Sequence, residues 1–323
     1  NPLTYRWIIL AASFLLITIT NGLTLGAGLS VFDEHIIKSL NQITGESVPL
    51  EDLKFKSAIT LWSTAIFGFF AGVLADKIGV KKLMITGLLL LSFSLWLYSH
   101  AMSLIHMYWI HIILGLVLCI AGMIVNVILI SRWFNKSRGL ALGILLAGTS
   151  TGNGLFPLIN TYLLGPEPSM EQWRIVMVWL SFIPLCLIPL LLTFIKDGPE
   201  KLQVTSKKIT DQEINESHTG KSFTLIQALK AKNFWLLSLM AFCTFYSILA
   251  LLDNTFLMLT RELDFSPLVA AVGLTILSFG GFIGKIISGQ MAEIFGRQKI
   301  LLAGVGVMFM ASISIVLALF YKN

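Results

Sequence analysis

Gly72-Val-Leu-Ala-Asp76-Lys-Ile-Gly79-Val-Lys-Lys82 is followed 217 residues later by Gly289-Gln-Met-Ala-Glu293-Ile-Phe-Gly296-Arg-Gln-Lys299. Glycine, acid, glycine and base keep identical spacing in the two stretches, and each closes a long apolar run. A motif repeated at this distance marks an internal duplication, and duplicated helical units joined by charged hairpins are a common plan of membrane transporters.

The composition agrees with a membrane setting. Of 323 residues, 56% are hydrophobic and only 12% charged, with mean hydropathy +0.83. A soluble domain carries about twice that share of charge. The net charge of +6 does not point to nucleic acid, because the basic residues fall between apolar runs, where chain orientation accounts for them. Cys119, Cys186 and Cys243 all lie inside apolar runs without metal-ligand spacing, so they read as packing residues.

About 20 apolar residues cross a bilayer as a helix. That ruler gives nine spans, 6–31, 57–76, 82–100, 105–131, 139–164, 173–195, 234–258, 267–291 and 298–321, and an all-α integral membrane protein. With the N-terminus in the cytoplasm, 16 Lys and Arg fall on the inner face, 6 on the outer face, and Lys285 lies within a span. The opposite orientation would invert that ratio against the positive-inside tendency. Residues 33–56 read as a polar outer loop. Residues 1–195 then form a six-helix unit, 196–233 a cytoplasmic linker ending in an amphipathic helix from Ser222 to Asn233, and 234–323 a three-helix unit. The expected location is a plasma or bacterial inner membrane.

Six spans, a long inner loop and a motif repeated between the second and third spans of each unit resemble the major facilitator superfamily. That resemblance implies a helical bundle of repeated halves with nine of an expected twelve spans, the last three falling beyond Asn323. Within the superfamily the chain is similar to the monocarboxylate porters and oxalate/formate-type exchangers. The similarity rests on Trp133-Phe-Asn-Lys136-Ser-Arg138-Gly-Leu-Ala-Leu-Gly143-Ile-Leu-Leu-Ala-Gly148, on Arg6-Trp7, on Asp197-Gly-Pro-Glu200 and on Phe234-Trp-Leu-Leu237. Departures are present too. Pro2 to Trp7 lacks the animal carriers' acid-Gly-aromatic signature, their first-span lysine is absent near Ala27, and Gly281 stands where they place an acid four residues before the base matched by Lys285. These weaken the case for their proton chemistry and leave protons only one option as a coupling ion.

The resemblance implies an alternating-access transporter of a small organic anion, with gates at the motif. Gly72, Asp76, Gly79 and Lys82 form one gate, and Gly289, Glu293, Gly296 and Lys299 the other. Glu293 would face the start of the fifth span around Arg138, with Arg132 nearby, and Asp76 would face an eleventh span. A carboxylate at such a place meets the positive end of a facing helix.

The residues themselves single out Lys285. A lysine near the bilayer centre costs about 2.5–3.5 kcal/mol on insertion scales, so it faces a wet cavity or a counter-charge, or it snorkels to the headgroups. In a cavity it would hold a substrate carboxylate. Asp253, in the outer third of the seventh span, is a coupling candidate or a vestibule residue. Asn21, Asn153, Tyr246 and Asn126 are polar groups near mid-depth that either contact substrate or bridge helices. His100, His106 and His111 read as interfacial residues, not as a metal site. No nucleotide-binding loop or catalytic triad is present, so neither an enzyme nor a cofactor is expected. A transporter of a neutral or drug-like solute and a non-transporting membrane sensor are the alternatives.

Overall fold

A computed structural model of the chain describes residues 2–25, 27–134, 137–198 and 225–322. All regular structure among them is helical: α1 Pro2–Thr24, α2 Ala27–Ser30, α3 Asp33–Thr44, α4 Leu50–Ile78, α5 Val80–Ser99, α6 Leu104–Ile120 and α7 Met123–Trp133. There follow α8 Arg138–Leu164, α9 Gln172–Phe194, α10 Leu225–Lys230, α11 Lys232–Leu257 with a π-helical extension Met258–Glu262, α12 Pro267–Phe295 and α13 Arg297–Lys322. Among the described residues, eight helical stretches are long and apolar enough to span a membrane, and they coincide with the first eight expected spans. The ninth expected span falls on α13. Most of the expected amphipathic helix lies on α10 and the start of α11, while its first residues, 222–224, lie outside the described residues.

Two expected spans are interrupted. In the first, α1 ends at Thr24 and α2 starts at Ala27, with Asn21-Gly22 in the last turn of α1. The fourth breaks at Ala121-Gly122, between α6 and α7. Here Asn126 Nδ2 donates to the carbonyls of Ala121, at 2.9 Å, and Gly122, at 2.7 Å. The Gly122 carbonyl also accepts from the Asn126 backbone N–H at 3.4 Å, but the Ala121 carbonyl released by the break would otherwise sit unsatisfied in the core, so the side chain repairs the break there.

The expected outer loop is mostly helix. Residues 33–44 form α3, with Asp33 and Glu34 in its first turn and Gly45 closing it at φ 72°. Ile36 and Leu40, one turn apart, are buried. The second span begins at Leu50 rather than residue 57, behind Pro49.

The duplication holds down to the backbone. Gly79, between α4 and α5, has φ 92° and ψ 145°, and Gly296, between α12 and α13, has φ 92° and ψ 142°. This region of conformational space is open to glycine alone, which is why both copies keep it.

In the bundle α1 packs on α8, α4 on α6, α5 on α9, and α8 on α12. One apolar core, with Ile9, Leu16, Val80, Met84, Leu129 and Phe134, lies toward the end carrying Asp76 and Glu293, hereafter the motif end. A second, with Phe32, Ile36, Tyr98, Met107 and Trp173, lies toward the opposite end.

Candidate gates and binding residues

The α8–α12 seam sets the positions of the second motif copy and of Lys285. Glycines permit the close approach: a Cβ on Gly139 would come within 2.6 Å of the Gly289 carbonyl oxygen, and one on Gly289 within 2.6 Å of the Gly139 oxygen. Such distances exclude any side chain without backbone movement. The contact brings Glu293 Oε1 to 2.5 Å from the Gly139 N–H, which donates to it. The carboxylate thus meets the positive end of α8, where first-turn amides lack intrahelical partners. Arg138 lies beside it, and the two line a cavity of about 830 Å³ with Ser137, Leu142 and Arg297.

The first motif copy pairs with a residue of this same chain. Asp76 Oδ1 accepts from Arg132 Nη2 at 2.7 Å, so Arg132, at the end of α7, serves Asp76 and not Glu293. The reason is the side on which α7 ends: it packs against α4, and its last turn carries the guanidinium to Asp76. Asp197 completes this end of the bundle. It accepts from the Lys81 backbone N–H at 2.7 Å and so caps the start of α5, while Lys81 Nζ donates to the Leu192 carbonyl at 2.6 Å.

Higher on the same seam, Lys285 Nζ lies 2.6 Å from Thr149 Oγ1 and 2.7 Å from Ser150 Oγ. Both hydroxyls belong to α8, so the ammonium bridges the two helices. Among the described residues no carboxylate lies within ion-pair distance of Lys285. Close by, on the same two helices, Ser150, Thr151, Thr275 and Ser278 line a cavity of about 280 Å³ with Leu155, Phe279 and Phe282.

The remaining expected binding residues do not join Lys285. The amide nitrogen of Asn126 is committed to the α6–α7 break, and its oxygen is buried without a hydrogen-bond partner among the described residues. Asn21 Nδ2 donates to the Ile17 carbonyl within its own helix, at 3.3 Å. Asn153 sits one turn along α8 from Thr149, half-buried. Tyr246 belongs to another cavity, of about 210 Å³, with Leu25, Ser57, Asp253 and Asn254. No His/Cys/Asp/Glu group able to hold a metal occurs among the described residues. His111 is instead buried between Thr60 Oγ1, at 2.7 Å, and the Tyr98 hydroxyl, at 3.3 Å.

Asp253 sits at the end away from the motif, in a cluster that the sequence did not disclose. Lys54 Nζ is 3.0 Å from Asp33 Oδ2 and 3.7 Å from Asp253 Oδ2, and Lys56 Nζ is 2.5 Å from Asp33 Oδ1. Burial alone would raise the Asp33 carboxyl, but Lys56 and Lys54 outweigh it and hold the group below the usual aspartate range. On the neighbouring turn, burial and then the charge of Lys38 keep His35 below the ordinary histidine value.

The sequence matches the Major Facilitator Superfamily over residues 8–323. The chain belongs to that family. It is 23% identical over 261 residues to the uncharacterized MFS-type transporter YhjX of Escherichia coli K12, covering 79% of this chain and 60% of that protein. It is 28% identical over 302 residues to the MFS-type transporter pytF of Aspergillus terreus, covering 90% of each. The fold is similar to that of a D-xylose–proton symporter, with TM-score 0.65 and 14% identity over 90% of this chain and 69% of that one. The family is one of transporters, not enzymes.

Proposed function

We propose that this member of the Major Facilitator Superfamily is a secondary transporter that moves a small organic anion, a mono- or dicarboxylate, by alternating access. The motif end faces the cytoplasm of a plasma or bacterial inner membrane, as the distribution of Lys and Arg suggests. Residues 1–195 and 234–323 are the two moving units, joined by the linker 196–233.

One observation carries the anion reading. The Lys285 ammonium is held by two neutral hydroxyls, Thr149 Oγ1 and Ser150 Oγ. Hydroxyls orient a cation without cancelling its charge, so the site keeps a positive field for an incoming carboxylate. A charge-assisted hydrogen bond of this kind contributes about 1.5–3 kcal/mol. Tyr246, Asn21 and Asn126 are not needed for this contact.

The two motif copies act as gates at the cytoplasmic end. Glu293 on the amino end of α8 holds α8 and α12 together there, and Asp76 with Arg132 fixes the α4–α7 corner. Lys82 and Lys299 follow the positive-φ glycines Gly79 and Gly296 and sit where the anionic leaflet surface lies.

A second reading draws on the cavity beside Lys285. Leu155, Phe279 and Phe282 give it an apolar lining suited to a neutral or drug-like solute. Ligand-induced thermal shift separates the two. Small carboxylates should raise the unfolding temperature of the purified protein, and Lys285→Ala should abolish the shift while the protein stays folded. A shift that persists in Lys285→Ala, or that appears only with uncharged solutes, favours the second reading.

A further inference from the structure

At the end opposite the motif, three side chains from three helices, Ser30, Asp33 and Asp253, converge on one ammonium group. Lys54 Nζ, from α4, is surrounded by Asp33 Oδ2 at 3.0 Å, the Asp253 carbonyl at 2.8 Å, Ser30 Oγ at 3.4 Å and Asp253 Oδ2 at 3.7 Å. Ser30, from α2, also donates to Asp253 Oδ1 at 3.2 Å. Asp33 and Lys56 come from the same side of the bundle as Ser30 and Lys54, whereas Asp253 comes from α11.

Burial divides this cluster into two parts. The side chains of Asp33 and Lys56 are 0% and 3% exposed, and those of Lys54 and Asp253 are 15% and 20% exposed. A buried carboxylate stripped of its partner is strongly destabilising, so Asp33 and Lys56 form a permanent pair. Asp253 can leave at lower cost. Water reaches both it and Lys54, and Lys54 would still neutralise the second oxygen of Asp33.

The packing of α11 localises what Asp253 holds. Of this helix only Phe256 and Leu257 are buried, at the same end, and its contacts with α2 occur there. A parallel bridge, Arg261 Nε to Glu34 Oε1 at 2.6 Å, lies just beyond on the π-helical extension. Directly within lies the cavity of about 210 Å³ lined by Tyr246, Leu249 and Asp253.

We propose that Lys54 is the shared cation of a latch closing this end of the transporter. The buried Asp33–Lys56 pair positions it, and Asp253 is the part that departs when α11 moves away. This rests on the alternating-access reading and gives that motion a specific breaking point. It assigns Asp253 to gating, with Lys54, Asp33 and Lys56 as its counterparts.

The test is thiol accessibility in the intact transporter. Leu249→Cys, in a background with Cys119, Cys186 and Cys243 replaced, places a thiol on the cavity behind the latch. Its reaction with a membrane-impermeant maleimide is timed from each side of the membrane, in whole cells and in inverted vesicles. Asp253→Ala and Lys54→Gln should each raise the rate from the outer side about tenfold, the factor that about 1.4 kcal/mol of lost closure produces. Lys54→Arg should stay near the parent rate, and millimolar methylammonium should slow labelling in Lys54→Ala by refilling the oxygen cage. Parent-like labelling in both Asp253→Ala, which keeps the 2.8 Å bond from Lys54 to the Asp253 carbonyl, and Lys54→Ala, which removes it, overturns the latch, and because Asp253→Ala leaves the buried pair intact, misfolding is not the explanation. A rise seen only from inverted vesicles supports the latch and overturns the assigned orientation. The assay contains no substrate, so failure of the organic-anion reading cannot produce either result.

Discussion

Asp33 and Lys56 illustrate how much one placement decides. An aspartate in an aqueous loop costs nothing to lose, but Asp33 is buried against two ammonium groups. Asp33→Asn would strand the Lys56 charge and should cost roughly 3–5 kcal/mol of stability, read as a lowered unfolding temperature at pH 7. The pH dependence has a definite sign. The folded-state value of Asp33 is depressed, so its contribution is complete above about pH 4, the unfolded value, and is lost as pH falls through the folded one. The gap between wild type and Asp33→Asn should therefore close under acid. The sequence made Lys285 legible because a lone charge in an apolar span is conspicuous. It hid Asp33, Lys54 and Lys56, because charges at the mouth of a helix look solvated until tertiary packing buries them. Thr149 and Ser150 were equally hidden, since hydroxyls are common in membrane helices and nothing in their spacing marks a partner.

The helices show the same contrast between pattern and context. Gly79 and Gly296 share a conformation closed to other residues, so Gly79→Ala and Gly296→Ala should each cost about 1–3 kcal/mol, measurable as parallel losses in thermal stability. At the α8–α12 seam, Gly139→Val and Gly289→Val should push the helices apart and free Glu293 from the Gly139 amide. Cysteine crosslinking between the motif-end turns of α8 and α12 would then fall in yield. These elements were readable because a repeat fixes both the glycines and the acid that follows. The break between α6 and α7 was not. Asn126 in an apolar run looks the same whether it faces a solute or its own backbone, and only the interruption at Ala121-Gly122 shows which carbonyls it serves. Asn126→Leu should consequently lower stability by about 1–3 kcal/mol, through the Ala121 carbonyl left unpaired, with little change in substrate affinity among the molecules that remain folded.

The bundle as a whole joins two ends of different chemistry through one seam. At the motif end Glu293 meets the amino end of α8 and Asp76 pairs with Arg132, and at the other an ammonium is shared between Asp33 and Asp253. Lys285 lies between them on α12, held by α8. That order, a cation between two closures, is the one the proposed alternating access to an anion calls for. The decisive measurement is uptake of a panel of labelled mono- and dicarboxylates by the intact transporter in proteoliposomes, comparing wild type with Lys285→Ala and Lys285→Arg. The account predicts saturable carboxylate uptake that falls about 10- to 100-fold in Lys285→Ala, matching the loss of one charge-assisted contact, with partial retention in Lys285→Arg. Carboxylate uptake unchanged in Lys285→Ala would contradict it.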